Sequence, residues 1–326
     1  MAEWLFEAGI GEDRAILVEA GEILEAAIEL PGQLRAGSVV EARLTTILIP
    51  ARRGIAALRG GGEALIEPLP AGLTEGASCR VEIVREAACE AGRDKLPKAR
   101  ATEAALRGAP TLGERIGNVR ELLVGGADRF EAAGWTELLE SAASGGIAFP
   151  GGALRMSITP AMTLFDVDGA LEPAALAVAG AAAAGKAIRR FGIGGSIGID
   201  LPTLPARPDR MAAAAALDAV LPQPFERTAV NGFGFLQVVR RRERPSLPEL
   251  LQADRAGAAA RALLRRAERV PGGGPVLIEA APAVIARLER EPAWTAELAR
   301  RTGGQVGLRA DGRLPIFAGH VHHRPA

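Results

Sequence analysis

The sequence is poor in the residues from which many functional sites are built. Two cysteines occur in 326 residues, Cys79 and Cys89, and they form neither a disulfide framework nor the Cys-x-x-Cys pair of a zinc site. That usage predicts a reducing compartment. The three histidines, His320, His322 and His323, all lie near the C-terminus, so a Ser-His-Asp hydrolase would have to draw its base from a tail. Tyrosine is absent and aromatics make up 4% of the chain; between Phe6 and Phe130 there is no Phe, Trp, Tyr or His. No apolar run approaches the roughly 18 residues of a membrane helix. The opening Met1-Ala2-Glu3-Trp4-Leu5 has no basic flank of a secretory signal, so the expectation is a cytoplasmic protein with no membrane partner. Neither sign of charge dominates, with 39 Lys+Arg against 39 Asp+Glu, so a basic surface for nucleic acid must be local.

What is present suffices for more than one core. A chain of 326 residues is about twice a typical domain, and 48% apolar with 24% charged residues describes a folded, globular protein. Short apolar runs at 4–7, 14–19 and 22–29, joined by Gly9, Gly11 and Gly21, predict a meander. Further runs at 39–42, 45–49, 64–66 and 79–84, punctuated by Gly and Pro, predict a small barrel. Residues 92–100 hold two of the three lysines and read as a linker or basic loop, and helical composition follows at 104–107, 112–123 and 135–144. From Gly151 the pattern becomes strand (154–158), strand (162–167), Ala-rich helix (172–191), strand (196–201), helix (210–221) and strand (233–239). After Pro245 the spacing predicts a helix over 247–270, a strand at 276–279, a helix over 282–301 and a last strand at 305–309.

Three motifs resemble catalytic signatures without their context. Gly180-Ala-Ala-Ala-Ala-Gly185-Lys186-Ala187 lacks the Ser or Thr hydroxyl that a phosphate loop needs for Mg²⁺, and it lies in a helical stretch. Gly194-Gly195-Ser196-Ile197-Gly198 spells a nucleophile elbow, but its serine enters a strand rather than a strand-to-helix turn. The histidine cluster could bind a metal; a solvated end is the preferred reading.

Two aspartates point elsewhere. Asp166 follows Thr163-Leu-Phe165 and Asp200 follows Ile197-Gly-Ile199, so each carboxylate sits at the end of an apolar strand, where open α/β sheets keep their ligand crevice. Their spacing of 34 residues suits one crossover helix and an adjacent parallel strand, which would bring both carboxylates to one point. Paired carboxylates suit Mg²⁺, which binds one or two of them with waters and substrate phosphates. From spacing alone, helix or turn capping accounts for them equally well, and Asp168-Gly169 alone would be a turn.

The segments Gly151-Gly152, Ser157-Ile158-Thr159, Thr163-Leu164-Phe165-Asp166-Val167-Asp168, Ile188-Arg189-Arg190, and Ile193-Gly194-Gly195-Ser196-Ile197-Gly198-Ile199-Asp200-Leu201 together resemble the catalytic core of the ribonuclease E/G family. Phe233-Gly234-Phe235-Leu236, Arg240-Arg241, Arg244-Pro245-Ser246-Leu247 and the opening 12–29 are similar to the flanks of that core. The resemblance implies an α/β multi-subdomain fold. Its parts would be a ribonuclease-H-like subdomain (1–35 and 86–150), an inserted oligonucleotide-binding (OB) β-barrel (36–85), a deoxyribonuclease-I-like catalytic subdomain (151–246) and a small C-terminal α/β domain (247–326). It implies Asp166 and Asp200 as ligands of a catalytic Mg²⁺ that directs water at single-stranded RNA, leaving a 5′-phosphate and a 3′-hydroxyl. Asp168 would be an auxiliary ligand, and Arg240, Arg241, Arg242, Arg244, Arg52, Arg53, Lys95 and Lys98 would contact RNA.

Several family features are missing. The expected barrel has no aromatic stacking residue, leaving Arg52, Arg53, Arg59 and backbone groups to hold RNA. Asp168 replaces the family's Asn, Ala170-Leu171 replaces a small residue and Arg, and Asn231-Gly232 replaces Ser-Arg. No Cys-x-x-Cys follows Ser246-Leu247 and the region 101–120 is too short for the family's 5′-monophosphate sensor, so a monomer or dimer is expected rather than a zinc-linked tetramer. The alternative on the same fold is an RNA-binding accessory protein without turnover.

Overall fold

The computed structural model describes residues 1–90, 93–123, 126–272 and 274–323. Three strands open the chain: β1 (Glu3–Ala8), β2 (Asp13–Glu19) and β3 (Glu22–Glu29). Next come β4 (Val39–Ile49), β5 (Arg53–Leu58), β6 (Glu63–Ile66), β7 (Ser78–Arg85), the short pair β8 (Ala88–Glu90) and β9 (Arg93–Lys95), and β10 (Lys98–Ala101). Short elements α1 (Leu112–Ile116), β11 (Arg120–Glu121), α2 (Arg129–Ala132) and α3 (Trp135–Ser144) lead to β12 (Gly146–Phe149), β13 (Gly152–Ile158) and β14 (Thr163–Gly169). Then follow α4 (Pro173–Arg190), β15 (Gly195–Asp200), α5 (Arg207–Val220), β16 (Glu226–Arg227) and β17 (Phe235–Arg240). The last elements are α6 (Leu247–Ala253), α7 (Arg255–Ala267), β18 (Val276–Ala280), α8 (Pro282–Glu289), α9 (Pro292–Thr302), β19 (Val306–Ala310) and β20 (Gly319–His323). The architecture is mixed α/β with a closed five-stranded barrel. No helix among the described residues is long and apolar enough to cross a membrane.

The chain divides into two units, one of residues 1–31, 116–144 and 250–326, the other of 32–115 and 145–249. In the second unit the barrel runs β10-β6-β5-β4-β7 and closes by pairing β7 with β10. Alternate residues Ala42, Leu44, Ala56, Leu58, Ala64, Ile66, Val81, Ile83 and Ala99 fill it. Gly54 is required by packing, since a Cβ there would stand 2.7 Å from Leu44 Cδ1. The stretch 92–100, expected to be a loop, supplies β9 and the closing strand; Gly92 itself is outside the described residues. Barrel closure overrides the local polarity because Ala99 fills a fully buried interior position while its neighbours Lys98 and Arg100 stay at the surface side. The barrel therefore extends past residue 85, the limit expected from sequence.

The same unit holds a six-stranded sheet of order β12-β13-β14-β15-β17-β16, with β14 and β15 parallel and connected through α4. Leu154, Met156, Phe165, Val167, Ile197, Ile199, Leu236 and Val238 are buried on one face, against which α4 packs. The Ala and Gly content of α4 is explained by close approach. A Cβ on Gly180 would stand 2.4 Å from Val167 Cγ1 on β14, and one on Gly185 would stand 2.7 Å from Val220 Cγ2 on α5. Gly180 and Gly185 thus serve packing within a helix, not a phosphate loop.

In the first unit a sheet of order β11-β1-β2-β3 has β11 parallel to β1. A second sheet, β19-β18-β20, packs with α7, α8 and α9 around Leu263, Leu264, Ile278, Val284, Leu288 and Leu298. The two long helices expected here are each broken. Asp254 caps α7 by accepting from Gly257 N at 2.8 Å, and Pro292 at the start of α9 ends the run that α8 begins. The histidine segment, expected to be a solvated tail, is strand β20, antiparallel to β18 with His320 beside Glu279 and His322 beside Leu277. An edge strand is formed because Val321 packs against the core while the exposed His320 and His322 take the outer positions.

Candidate metal centre and nucleic-acid surface

The strand register puts Arg155, Asp166, Asp200 and Phe235 abreast on β13, β14, β15 and β17. The two aspartates are direct partners in the parallel pair, on strands that lie about 4.8 Å apart. Period-two alternation explains their exposure: Phe165, Val167 and Ile199 face α4, so Asp166, Asp168 and Asp200 emerge on the opposite face. The next row is Ser157, Leu164, Gly198 and Gln237. A Cβ on Gly198 would stand 2.8 Å from Phe235 Cζ and 3.0 Å from Met162 Sδ, so the phenyl ring of Phe235 leans over that glycine and floors the face beside Asp200.

Asp168, expected as an auxiliary ligand, faces a neighbouring cation. Its Oδ2 lies 3.3 Å from Arg155 Nε, a cross-strand ion pair with both side chains more than half exposed. Among the described residues no cluster of three or more His, Cys, Asp and Glu could hold a metal ion. Two exposed carboxylates side by side nevertheless match the donor set of Mg²⁺, which keeps most of its coordination for water and phosphate. Like charges directly opposite one another on a sheet destabilise it unless something neutralises them.

The arginine run lies at the far end of the sheet from this pair. Arg240 pairs with Gly195, five residues from the Asp200–Phe235 register and so roughly 17 Å along the strand. Antiparallel pairing of β15 and β17 dictates this, because residues following Phe235 run back towards the start of β15. Arg240 Nη1 donates to Ile193 O at 3.2 Å, Arg241 pairs with Glu243, Arg242 Nη2 donates to Glu249 Oε1 at 2.6 Å, and Arg244 Nε lies 3.3 Å from Glu86 Oε1. At that end a polar cavity of about 240 Å³ gathers Lys95, Arg85 and Arg242 around Thr159, Gly195 and Ser196. The structure thus joins Lys95 and Arg242, and separates both from Asp166.

On the barrel, Arg52 is exposed in the β4–β5 turn, whereas Arg53 Nε and Lys98 Nζ meet the two oxygens of Glu67 at 2.7 and 2.8 Å. The hydrogen bond from Lys98, then that from Arg53, holds the Glu67 carboxyl at about 2 against an ordinary 4.5. A depressed carboxyl stabilises the fold fully above its unfolded value, and that stabilisation is lost as pH falls from 4.5 towards 2. Acid unfolding followed by circular dichroism should therefore be steeper across that window for wild type than for Glu67→Gln; equal slopes would refute the coupling. At the other end of the β4–β5 hairpin a groove of about 810 Å³ is lined by Arg43, Arg59 and Arg80 with Glu41 and Glu103. Sequence reasoning does not single out Arg43 and Arg80, although the outward positions of β4 and β7 next to inward Ala42 and Val81 are a readable signal.

No protein-family model matches this chain, and no curated protein matches it in sequence. What the surface can do therefore rests on its own geometry: a carboxylate pair, one adjoining guanidinium, a basic cavity on the same sheet and a barrel groove with three arginines.

Proposed function

We propose that the chain is a Mg²⁺-dependent endoribonuclease of the ribonuclease E/G type that cleaves single-stranded RNA, with Asp166 and Asp200 as the metal-holding pair. The register partnership of Asp166 with Asp200 carries this reading. The barrel order β4-β5-β6-β10-β7, with β6 and β10 parallel, supports an OB-type barrel. The sheet β11-β1-β2-β3 is compatible with a ribonuclease-H-like part, and the sheet beneath α4 with a deoxyribonuclease-I-like part. A cytoplasmic monomer or dimer acting on RNA fits this assignment.

Bound Mg²⁺ supplies Lewis-acid polarisation of a phosphodiester and acidifies a water for attack. The chain supplies the rest. Asp166 and Asp200 provide adjacent oxygens on a rigid parallel pair, so the ion's place is set by backbone hydrogen bonds rather than by a loop. Arg155, in register with Asp166 and steadied by Asp168, offers a cation to a non-bridging phosphate oxygen, a role the family's absent arginine would otherwise take. Gly198 lets the Phe235 ring lie flat against the sheet and floor the face beside the pair.

The second reading, an RNA-binding protein without turnover, is favoured by the basic cavity and the arginine run lying at the end of the sheet away from the carboxylate pair. Thermal unfolding in EDTA and in increasing Mg²⁺, beside cleavage of a fluorescent single-stranded RNA, separates the two. The nuclease gains stability with Mg²⁺ by about 1.4 kcal/mol at ten times the dissociation constant and cuts only with metal. RNA retention with no metal-dependent shift and no cutting would refute it.

A further inference from the structure

Phe233 is the most exposed large apolar side chain among the described residues after Met1, with 82% of its surface in solvent. Of the nine Phe in the chain, every other one is more shielded than this ring. The ring is also held on a rigid base. Asn231 Oδ1 accepts from Phe233 N and from Phe235 N, each at 3.0 Å, and Asn231 O accepts from Gly234 N at 3.1 Å. Gly234 has φ +95°, and a Cβ there would stand 2.2 Å from Leu201 O, so the turn is pressed against the residue that follows Asp200. Gly234 O accepts from Leu201 N at 3.2 Å, tying the two segments together.

Phe233 lies in the turn two residues before Phe235, the register partner of Asp200, so its Cα stands at most about 7 Å from that of Phe235 at the end of the carboxylate row. That is the reach of a neighbouring nucleotide. We infer that Phe233 is a base-stacking platform, which receives the nucleobase next to the scissile phosphate and so holds single-stranded RNA at the carboxylate pair. This rests on the nuclease reading above and deepens it. Stacking accepts any base, because every base has a π-face, and it requires an unpaired one. It also places at the sheet the aromatic contact that the barrel interval between Phe6 and Phe130 lacks.

The test uses full-length wild type, Phe233→Ala and Phe233→Trp with single-stranded RNA oligonucleotides carrying one abasic site at successive positions around the cleaved bond. Binding is measured in EDTA and cleavage in Mg²⁺. Phe233→Ala should weaken binding about tenfold and raise KM with little change in kcat, Phe233→Trp should restore both, and one abasic position should weaken wild type but not Phe233→Ala. Equal binding by wild type and Phe233→Ala to every oligonucleotide, with unchanged thermal unfolding, would overturn the platform and leave the nuclease intact. Failure of wild type itself to bind RNA would overturn both.

Discussion

Asp166→Asn and Asp200→Asn are each expected to lower Mg²⁺-dependent cleavage of single-stranded RNA by at least about 100-fold, since even groups that only orient metal ligands cost about 10–100-fold. The same substitutions should leave the fold intact or raise its stability in EDTA by about 0.2–1 kcal/mol, because each removes one of two like charges facing across the parallel pair. A structural role for these carboxylates predicts the reverse: lower stability and an unchanged response to metal. Arg155→Ala should fall between, cutting with a raised KM, while Asp168→Asn should be mild if its work is to steady Arg155. Cleavage rates and melting curves are read on the same preparations, and full activity in either aspartate variant sinks the site assignment.

The largest effect on stability is expected far from the aspartates in sequence. Glu7 lies on β1 with 4% of its surface exposed, next to the fully buried Arg14. Its carboxylate is 3.4 Å from Arg14 Nη1, 3.1 Å from Arg265 Nε and 2.5 Å from Arg269 Nη2. Glu12 completes the cluster, 3.3 Å from Arg14 Nε and 2.8 Å from Arg261 Nε. Burial pulls the Arg14 guanidinium below its ordinary range, and the carboxylates of Glu12 and Glu7 oppose that shift. Removing Glu7 leaves three guanidinium groups converging on a buried site where Glu12, Asp128 and Glu268 compensate them only in part, so Glu7→Ala should cost about 3–5 kcal/mol. Urea unfolding monitored by circular dichroism reads this as a drop in midpoint; a loss below about 1 kcal/mol, the worth of an exposed ion pair, would show that the cluster is solvated.

Legibility in the sequence follows the range of the forces involved. The alternation around Asp166 and Asp200 and the Ala-rich crossover are local patterns with counterparts in β14, β15 and α4; of the barrel runs, those at 39–42 and 45–49 form the single strand β4, those at 64–66 and 79–84 match β6 and β7, and β5 (Arg53–Leu58) is not among the expected strands. The spacing of 34 residues leads to an in-register pair because one helix returns the chain to a neighbouring parallel strand. The helices after residue 247 are shorter than composition predicts, since an N-cap at Asp254 and a proline at 292 interrupt otherwise continuous helical stretches. The strand character of 98–101 and 319–323 is invisible locally, as neither segment has an apolar run and both are strands only because a partner edge, β6 with β7 or β18, is there to pair with.

By itself the sequence determined the alternation that exposes Asp166 and Asp200, the place of Asp200 at the end of its strand and which motifs lack their context, because period and turn chemistry are written residue by residue; Asp166, expected at a strand end as well, stands midway along β14. Only the tertiary structure decided what meets what. It turned Asp168 to Arg155, sent Arg240 to the opposite end of the sheet from Asp200, took Arg53 and Lys98 up with Glu67, and left Phe233 uncovered beside the carboxylate row. Strand direction and cross-strand register are properties of pairs of distant segments, and no window of sequence contains them.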